Sequence, residues 1–419
     1  MSKLFDVRDY GAVGDGRAID TEAIHRAFEA CAAAGGGQVR LSPGEYLSGT
    51  VRLQSGVTLY LDAGAVLRGT DDLDAYESYE PAGKPSRWHR ALILADGVEC
   101  AGVTGPGVID GARVHDPKGE EKMRGPHTII LARSRGVFVR DVTIIDSANY
   151  AVFPICCDDV DVHNVTVQGG WDGFHIRGTE DRWCHRVTVT GCRFFTGDDA
   201  VAGTWVRDLL VRDCVLNSSC NGVRWIGPAE RMIIDDCLIY GPGRHPHRTQ
   251  DRHNALIGIT LQPGAWDRMP GPLDQVRISN VTMHHVKCPF MFFVKPGSRG
   301  GRVEVNRATA TGVYEAACSV ESWVNEPFDE VIFRDVDIAY AFDPDAAPAG
   351  DEVAEPKHGS RPLPAWGLYA RNVRRLVLDD VRLTADKPDP RATIRLDNVA
   401  EVETDNLRLP SWAKPVDGG

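Results

Sequence analysis

Apolar and polar residues alternate in a short phrase that returns along most of the chain. Each copy holds two alternating stretches that flank one residue with a tolerance for left-handed backbone angles, a property of Asn, Asp and Gly. The clearest copies place this turn residue at Asp141, Asn164, Gly191, Asp213, Asp236 and Asn280. The gaps between these positions are 23, 27, 22, 23 and 44 residues, and the last is close to two periods.

This repeat predicts an all-β protein, a right-handed parallel β-helix. One unit cannot bury its apolar face alone, whereas stacked units can, with strands about 4.8 Å apart. A propeller needs repeats of about 40 residues, and leucine-rich repeats need a leucine ladder that the chain lacks. We expect a single domain over residues 1–419, a solenoid of about nine to eleven coils.

The N-terminal stretch predicts a cap, over about residues 1–40. Asp20 or Thr21 can begin a helix that runs to about Ala34, and the glycines at 35–37 can end it. An amphipathic helix there would hide the open edge of the first coil. Its apolar side would consist of Ala23, Ile24, Ala27, Phe28 and Cys31. The C-terminal coils and tail are expected over about 367–419, and loops over 112–127, 241–255, 263–274 and 341–366.

Charge and cysteine content limit the binding partners and the cellular compartment that we expect. The net charge is -12 and no Lys/Arg cluster stands out, so we expect neither a nucleic-acid nor a membrane partner. Eleven cysteines, an odd number, and an N-terminus without an apolar signal core favour the cytoplasm. A β-helix exposes long flanks, so the chain is expected to be a monomer or a homodimer.

Three aspartates form the candidate catalytic centre. Asp198 and Asp199 follow Gly197, and Asp172 precedes them by about one repeat, so all three can project from one face. Mutual repulsion keeps one member of such a group protonated near neutral pH, which supplies an acid and a base for glycoside hydrolysis. Neighbours in a strand point to opposite faces, so the chain must leave strand geometry at Gly197 for both acids to reach a substrate.

Several segments resemble the polygalacturonase-type, pectinase-like glycoside hydrolases, over roughly residues 5–340. These segments are 6–16, 20–24, 35–39, 43–47, 59–65 and 105–111, together with the aspartate motifs. The family's Gly-Asp-Asp motif is intact at 197–199, and its Asn-Thr-Asp-Gly motif matches residues 170–173. The resemblance implies that Asp198 is the general acid and that Asp172 and Asp199 hold and activate water.

Two family motifs have changed in this chain. Asn221 stands where the family has the histidine of Gly-His-Gly, and Thr260 and Gln262 stand where it has Arg-x-Lys. The resemblance implies that the lost cation pair grips a uronate carboxylate. We therefore expect an atypical or neutral sugar, with Arg252 and His253 as loop cations that could replace the pair.

The remaining candidates for substrate binding lie around these motifs. Tryptophan faces stack on sugar rings, and an Asn side chain can bond a hydroxyl without charge. His175 and Arg177 reach the site only if a turn interrupts strand alternation after Asp172. The candidates for substrate binding are Trp171, His175, Arg177, Asn221, Arg224, Trp225, Arg252, His253 and Gln262, with Trp266 as a further possible platform.

The sequence as a whole predicts an exo-acting, inverting hydrolase of an oligosaccharide, with no cofactor and no metal. Cys156 and Cys157 lack the spacing of a zinc site, and the aspartates outside the trio are scattered at turns. Two alternatives stay open. A polysaccharide lyase on the same fold would need cations at the lost pair, and a carbohydrate-binding solenoid would need no catalytic acids.

Overall fold

A computed structural model describes residues 3–79, 90–265, 269–341 and 353–418 of the chain. These residues fall into two compact units. Unit one comprises residues 1–198 and 245–251, and unit two comprises 199–244 and 252–419. The fold class is confirmed: the chain is almost entirely β and forms a right-handed parallel β-helix. The organisation of the chain as a single domain stays a prediction.

Unit one is built from three ladders of parallel strands. The first ladder contains Leu4–Asp6, Gly37–Leu41, Val57–Leu61, Gly102–Thr104, Arg135–Arg140, Asp158–His163 and Cys184–Thr190. The second contains Asp15–Ile19, Gly44–Ser48, Ala65–Gly69, Val108–Asp110, Thr143–Ile145, Thr166–Gln168 and Arg193–Thr196. The third contains Val51–Arg52, Ala91–Asp96, His127–Ala132, Val152–Ile155 and Phe174–Arg177.

Unit two repeats this plan with longer strands. Its first ladder contains Val206–Arg212, Ala229–Asp235, Pro272–His284, Arg299–Gly300, Arg302–Val313, Phe328–Tyr340, Ala365–Ala385 and Ala392–Asp405. Its second ladder begins with Val215–Ser218 and Leu238–Tyr240 and continues in the later halves of the long strands. Its third contains Val201–Thr204, Asn221–Trp225, Ile257–Leu261, Phe290–Val294, Cys318–Ser322, the starts of the last two long strands, and Lys414–Gly418.

The predicted turn residues do adopt left-handed backbone angles. All six repeat positions have a φ between 51° and 62°: Asp141, Asn164, Gly191, Asp213, Asp236 and Asn280. The apolar positions between them stack in register, as in the buried column Val137, Val160 and Val187 of the first ladder. The turns therefore set the corners of each coil, and the valine columns fill its interior.

The N-terminal helix is confirmed in position and in orientation. It spans Thr21–Ala33 and buries Ala23, Ile24, Ala27, Phe28 and Cys31. Asp20 makes no side-chain bond to the helix; its carboxylate instead accepts from the backbone N–H groups of Val13 and Gly14. Short 3-10 helices cover Val7–Tyr10, Leu73–Ala75 and Glu120–Lys122.

The predicted number of coils is too low. The first ladder of unit one already has seven strands, and unit two continues the pattern through strands of 12 to 21 residues. These long strands continue through a left-handed residue, as at Asn280, and pairing resumes at the next residue. Sequence phrases alone therefore undercount the coils. Among the described residues, no helix has the length and apolarity that crossing a membrane requires.

Candidate active site

Asp172 and Asp198 lie in turns of unit one, outside its strands. Asp172 stands in the bend before Phe174–Arg177 of the third ladder, and Asp198 follows Arg193–Thr196 of the second ladder. The chain therefore leaves strand geometry at both acids, as the sequence requires. Gly197 is needed for close approach, because a Cβ there would lie 2.5 Å from the carbonyl oxygen of Pro246 and 2.7 Å from that of Gly170.

Asp172 is held by His175. The Nδ1 of His175 donates to Oδ2 of Asp172 over 2.7 Å, and both side chains are buried. The imidazole stacks on the ring of Tyr150, with centroids 4.3 Å apart and planes 2° from parallel. The bend at Asp172 cancels the strand alternation, so His175 reaches the acid and fixes its orientation.

Asp198 has two basic neighbours, an arginine and a histidine, that the sequence analysis missed. Nη2 of Arg124 lies 3.3 Å from Oδ2 of Asp198, and Nε2 of His247 lies 3.7 Å from the same oxygen. Both residues belong to the loops 112–127 and 241–255. Basic residues in insertions next to the acid motifs were the available signal, but their loops fall outside the repeat, which gives no register for them.

The two acids of unit one are close together. A carboxylate oxygen of Asp172 lies within 4.8 Å of one of Asp198. These two carboxylates supply only part of the six to eight oxygen ligands that Ca²⁺ takes. Their proximity instead suits a shared task in proton transfer, in which one member carries the proton.

Trp171 does not take the place that the sequence predicts, and Arg177 stays a predicted substrate contact. Trp171 is 1% exposed, and Cζ of Arg124 lies 3.6 Å from the centre of its ring, so that face cannot stack on a sugar. The guanidinium of Arg177 packs over the ring of Phe153 at 5.5 Å, and its Nε has no hydrogen-bond partner in the described chain. The prediction of Trp171 as a sugar platform is therefore corrected to a support for Arg124.

Asp199 begins unit two and is also held by side chains. Nδ2 of Asn221 donates to its Oδ1 over 2.5 Å, and Nη1 of Arg224 lies 3.6 Å from its Oδ2. Thr260 completes the network, because its hydroxyl donates to Oδ1 of Asn221 over 3.3 Å. Asn221 and Thr260, at two of the three altered family positions, thus hold the acid in place.

Two other predicted contacts, Trp225 and Gln262, do not fit an exposed subsite near Asp199. Trp225 is fully buried and donates its indole N–H to the carbonyl of Pro228, so it belongs to the core. Gln262 is also fully buried, and neither its amide nitrogen nor its amide oxygen has a partner among the described residues.

Arg252 and His253 have contacts elsewhere in unit two, and their role as substrate-binding cations stays a prediction. His253 bonds the carbonyl of Gly243 over 2.7 Å. Arg252 has a positive charge that acts on the buried Tyr314 hydroxyl. Trp266 lies outside the described residues.

A segment of unit two, residues 353–361, covers the outer face of the third ladder. We call it the end wall. Arg361 forms a two-pronged ion pair with Glu321, with Nη1 to Oε1 at 3.0 Å and Nη2 to Oε2. Lys295 pairs with Glu355 at 3.0 Å, and the hydroxyl of Ser360 donates to a carboxylate oxygen of Glu315 over 2.7 Å.

Two strands near the end wall are buried on both faces, and the outward side chains of Met291 and Phe293 pack in an apolar cluster with Ile257, Cys288 and Ala316. Every residue of Phe290–Val294 and Cys318–Ser322 is buried, although alternate side chains point out of the coil. These strands follow Asn221–Trp225 and Ile257–Leu261 in the same ladder. The outer face is therefore blocked a few coils beyond Arg224.

Positive charge gathers where the end wall comes near Arg224. The pKa of His358 is lowered, first by burial and then by the charges of Arg224, Lys295 and Lys357. In unit one, the pKa of Arg248 is lowered, first by burial and then by Arg113 and Arg124. Cationic groups thus accompany the acids although Thr260 and Gln262 are uncharged.

Comparisons with known proteins agree with the fold. The family described as "Rhamnogalacturonase A/epimerase, pectate lyase-like" matches residues 4–77. A probable polygalacturonase of Vitis vinifera is 26% identical over 211 residues, which are 46% of this chain and 43% of the relative. An exopolygalacturonase of Platanus acerifolia is 25% identical over 313 residues, which are 68% of this chain and 74% of the relative.

The chain has its relatives among the polygalacturonase-type glycoside hydrolases. It spans about half the length of most of the curated relatives that it matches. Among solved structures, a hyperthermoactive exopolygalacturonase from Thermotoga maritima gives a TM-score of 0.66 at 18% identity, over 91% of this chain and 92% of that one. That likeness shows the shared fold.

Proposed function

We propose that the chain is an exo-acting glycoside hydrolase of the polygalacturonase type, with Asp172, Asp198 and Asp199 as its catalytic acids. The observation that carries this proposal is that each acid is fixed at a turn by a donor or cation. These partners are His175 for Asp172, Arg124 for Asp198 and Asn221 for Asp199. Fixed carboxylates with distinct surroundings are what general acid and base catalysis needs.

The reaction would divide protons among the trio. One protonated acid gives its proton to the leaving glycosidic oxygen, while a carboxylate takes a proton from the attacking water. Following the family resemblance, we assign the first role to Asp198 and the second to Asp172 and Asp199. Interacting acids titrate together, so the pH–rate profile will report apparent values of the group.

The stereochemical outcome needs its own test. Inverting enzymes usually hold their two carboxyl groups about 6.5–9.5 Å apart, to leave room for water. The oxygens of Asp172 and Asp198 come within 4.8 Å, so the inverting proposal rests on the resemblance. Proton NMR of the first product anomer distinguishes the outcomes: a product of opposite configuration supports inversion, and retained configuration refutes it.

Exo action is supported by the end wall. A saccharide lying on the outer face of the third ladder would meet residues 353–361 and could not extend past Glu321. An exopolygalacturonase is among the curated relatives. The prediction of a neutral or atypical sugar stays untested. It assumed that the site lacks cations, and the positive charges around Arg224 and Arg248 weaken that assumption.

The decisive experiment incubates wild type, Asp198→Asn and Asp213→Asn with oligogalacturonides and with neutral oligosaccharides of rhamnose, galactose and arabinose. Asp213 is the matched control, because it is a turn aspartate of the repeat with a left-handed φ of 55°. Released monosaccharide that is lost only in Asp198→Asn supports the proposal. Equal release by all three proteins contradicts the role of Asp198.

The same incubation separates the alternatives. A rise in absorbance from an unsaturated product would indicate a polysaccharide lyase instead of a hydrolase. Binding without turnover, unchanged in Asp198→Asn, would indicate a carbohydrate-binding solenoid. A cytoplasmic location, predicted in part from eleven cysteines, is carried as a further proposal for cell fractionation to test.

A further inference from the structure

Arg124 is a buried cation in contact with both acid turns of unit one. Its side chain is 5% exposed, and it belongs to the loop 112–127. Its Nη2 lies 3.3 Å from Oδ2 of Asp198. Its guanidinium also lies on the ring of Trp171, the residue directly before Asp172. One side chain thus touches Asp198 directly and the turn of Asp172 through an aromatic ring.

The bonding of Arg124 is unlike that of a structural arginine in this chain. Its Nε and Nη1 are buried without a hydrogen-bond partner in the described residues, and its Nη2 is shared between Asp198 and Glu121. Arg391, which is also buried, directs Nε and Nη2 to Asp389 and Nη1 to the carbonyl of Leu363. The Nε also lies 4.0 Å from a carboxylate oxygen of Glu120, too far for a hydrogen bond. Buried donors without a hydrogen bond carry a cost in stability, so the site of Arg124 is not optimised for stability alone.

The backbone that delivers Arg124 is strained. Glu121 and Lys122 both adopt left-handed angles, with φ of 52° and 59°. Left-handed angles cost roughly 1–2 kcal/mol for residues with a Cβ. Strain of this kind persists where the surroundings hold it and is concentrated at functional sites. Left-handed angles also occur at the corners of the coils, so the contact with Asp198 and the buried donors without a hydrogen bond carry the argument.

The guanidinium of Arg124 keeps its positive charge beside Asp198. Burial alone would lower the pKa of Arg124, but the surrounding groups, which include Tyr150, Asp198, Glu120 and Asp172, raise it, so the guanidinium stays charged. Stacking on Trp171 fixes its plane. A fixed, permanent charge beside Asp198 restricts where that carboxylate can point.

We infer that Arg124 is a positioning residue for the acid pair: it orients Asp198 by an ion pair and holds the turn of Asp172 through Trp171. The inference rests on the proposed hydrolase, and it adds a residue from outside the repeat to the acid machinery. Arg124 acts through the acids and not by contact with the sugar. The turnover number should therefore depend on Arg124 more than substrate binding does.

The test compares Arg124→Gln and Arg124→Lys with Arg391→Gln as a buried control. We expect Arg124→Gln to lower kcat about 100-fold with KM changed less than about threefold, because small displacements of catalytic groups cost that much. The alkaline limb of its pH–rate profile, which Asp198 sets as the general acid, should move to higher pH, since a positive charge beside that carboxyl group is lost. Arg124→Lys should restore the limb and only part of kcat, while Arg391→Gln lowers the melting temperature without moving the limb.

Two results would overturn the inference: a folded Arg124→Gln with wild-type kcat and pH profile, or a rise in KM alone. A second measurement needs no turnover. The melting-temperature changes of Arg124→Gln and Asp198→Asn should not add in the double variant, because contacting charges are coupled. Additive changes refute the ion pair. If wild type releases no sugar while the changes are non-additive, the proposed function fails and the pairing stands.

Discussion

Loss of Arg361 should open the end wall. Glu321 is fully buried, and its carboxylate accepts from both terminal nitrogens of Arg361 and from the indole N–H of Trp323, at 2.9 Å. Arg361→Met leaves this carboxylate buried with a single donor. Breaking a buried pair in this way costs about 3–5 kcal/mol, whereas an exposed pair contributes about 0–1 kcal/mol.

That cost should be concentrated in the wall. The ion pair joins residues 353–361 to the strand Cys318–Ser322, and the strand itself is held by its neighbours on both sides. A change of about 3–5 kcal/mol corresponds to roughly a hundred- to several-thousand-fold shift in the opening equilibrium. We therefore expect local opening of the wall rather than global unfolding.

Hydrogen exchange and product length together test this prediction. In Arg361→Met, amides of 353–361 should exchange faster, and released products should shift from monosaccharide to longer chains. Arg231→Met is the matched control, because Arg231 forms an exposed pair with Asp208 in the same unit. Exchange and product lengths equal to wild type in Arg361→Met would refute the reasoning. The double variant with Glu321→Leu should recover much of the lost stability, since no buried charge then remains.

Three further outcomes are expected. Gly197→Ala should lower kcat at least tenfold and cost about 1–3 kcal/mol in the free energy of unfolding, because its Cβ would overlap two backbone oxygens; unchanged turnover would contradict this. Iodoacetamide should label exposed Cys100 in the folded protein and spare Cys157, where burial raises the thiol pKa to about 12; equal labelling by mass spectrometry would contradict it. The pKa of Asp159 falls to about 2, chiefly through its bond to Arg186, so its stabilising effect is present above pH 3.8 and is lost toward pH 2. Because the pair is exposed, Asp159→Asn should cost less than about 1 kcal/mol at pH 7 and only a small part of that at pH 2, as measured by urea unfolding.

The repeat was readable from the sequence because its cause is local. A left-handed turn admits few residue types, so Asp141, Asn164 and Gly191 mark the coils wherever they occur. The capping helix was readable for a similar reason, since its apolar face follows a helical period. The bend at Gly197 followed from chemistry, because adjacent acids cannot share a face in a strand.

The partners of the acids could not be read in the same way. Arg124 and His247 reach Asp198 from loops whose course depends on tertiary packing and carries no period. The tryptophans were wrongly predicted to face the substrate because sequence position near a motif does not determine the direction of a side chain. Trp225 sits beside a motif in sequence, yet strand alternation turns its ring into the coil, where burial outweighs exposure to a sugar.

The end wall is attached by side chains and not by the ladders. Residues 353–361 contribute no strand, and their contacts with Glu315, Glu321 and Lys295 are ion pairs and hydrogen bonds. Such an insertion can be lengthened, shortened or exchanged while the repeats keep their register. In such an architecture, the segment that limits where a polymer can lie and the acids that cleave it can change independently in evolution. A change in one surface segment could then convert an enzyme that trims chain ends into one that cuts chain interiors.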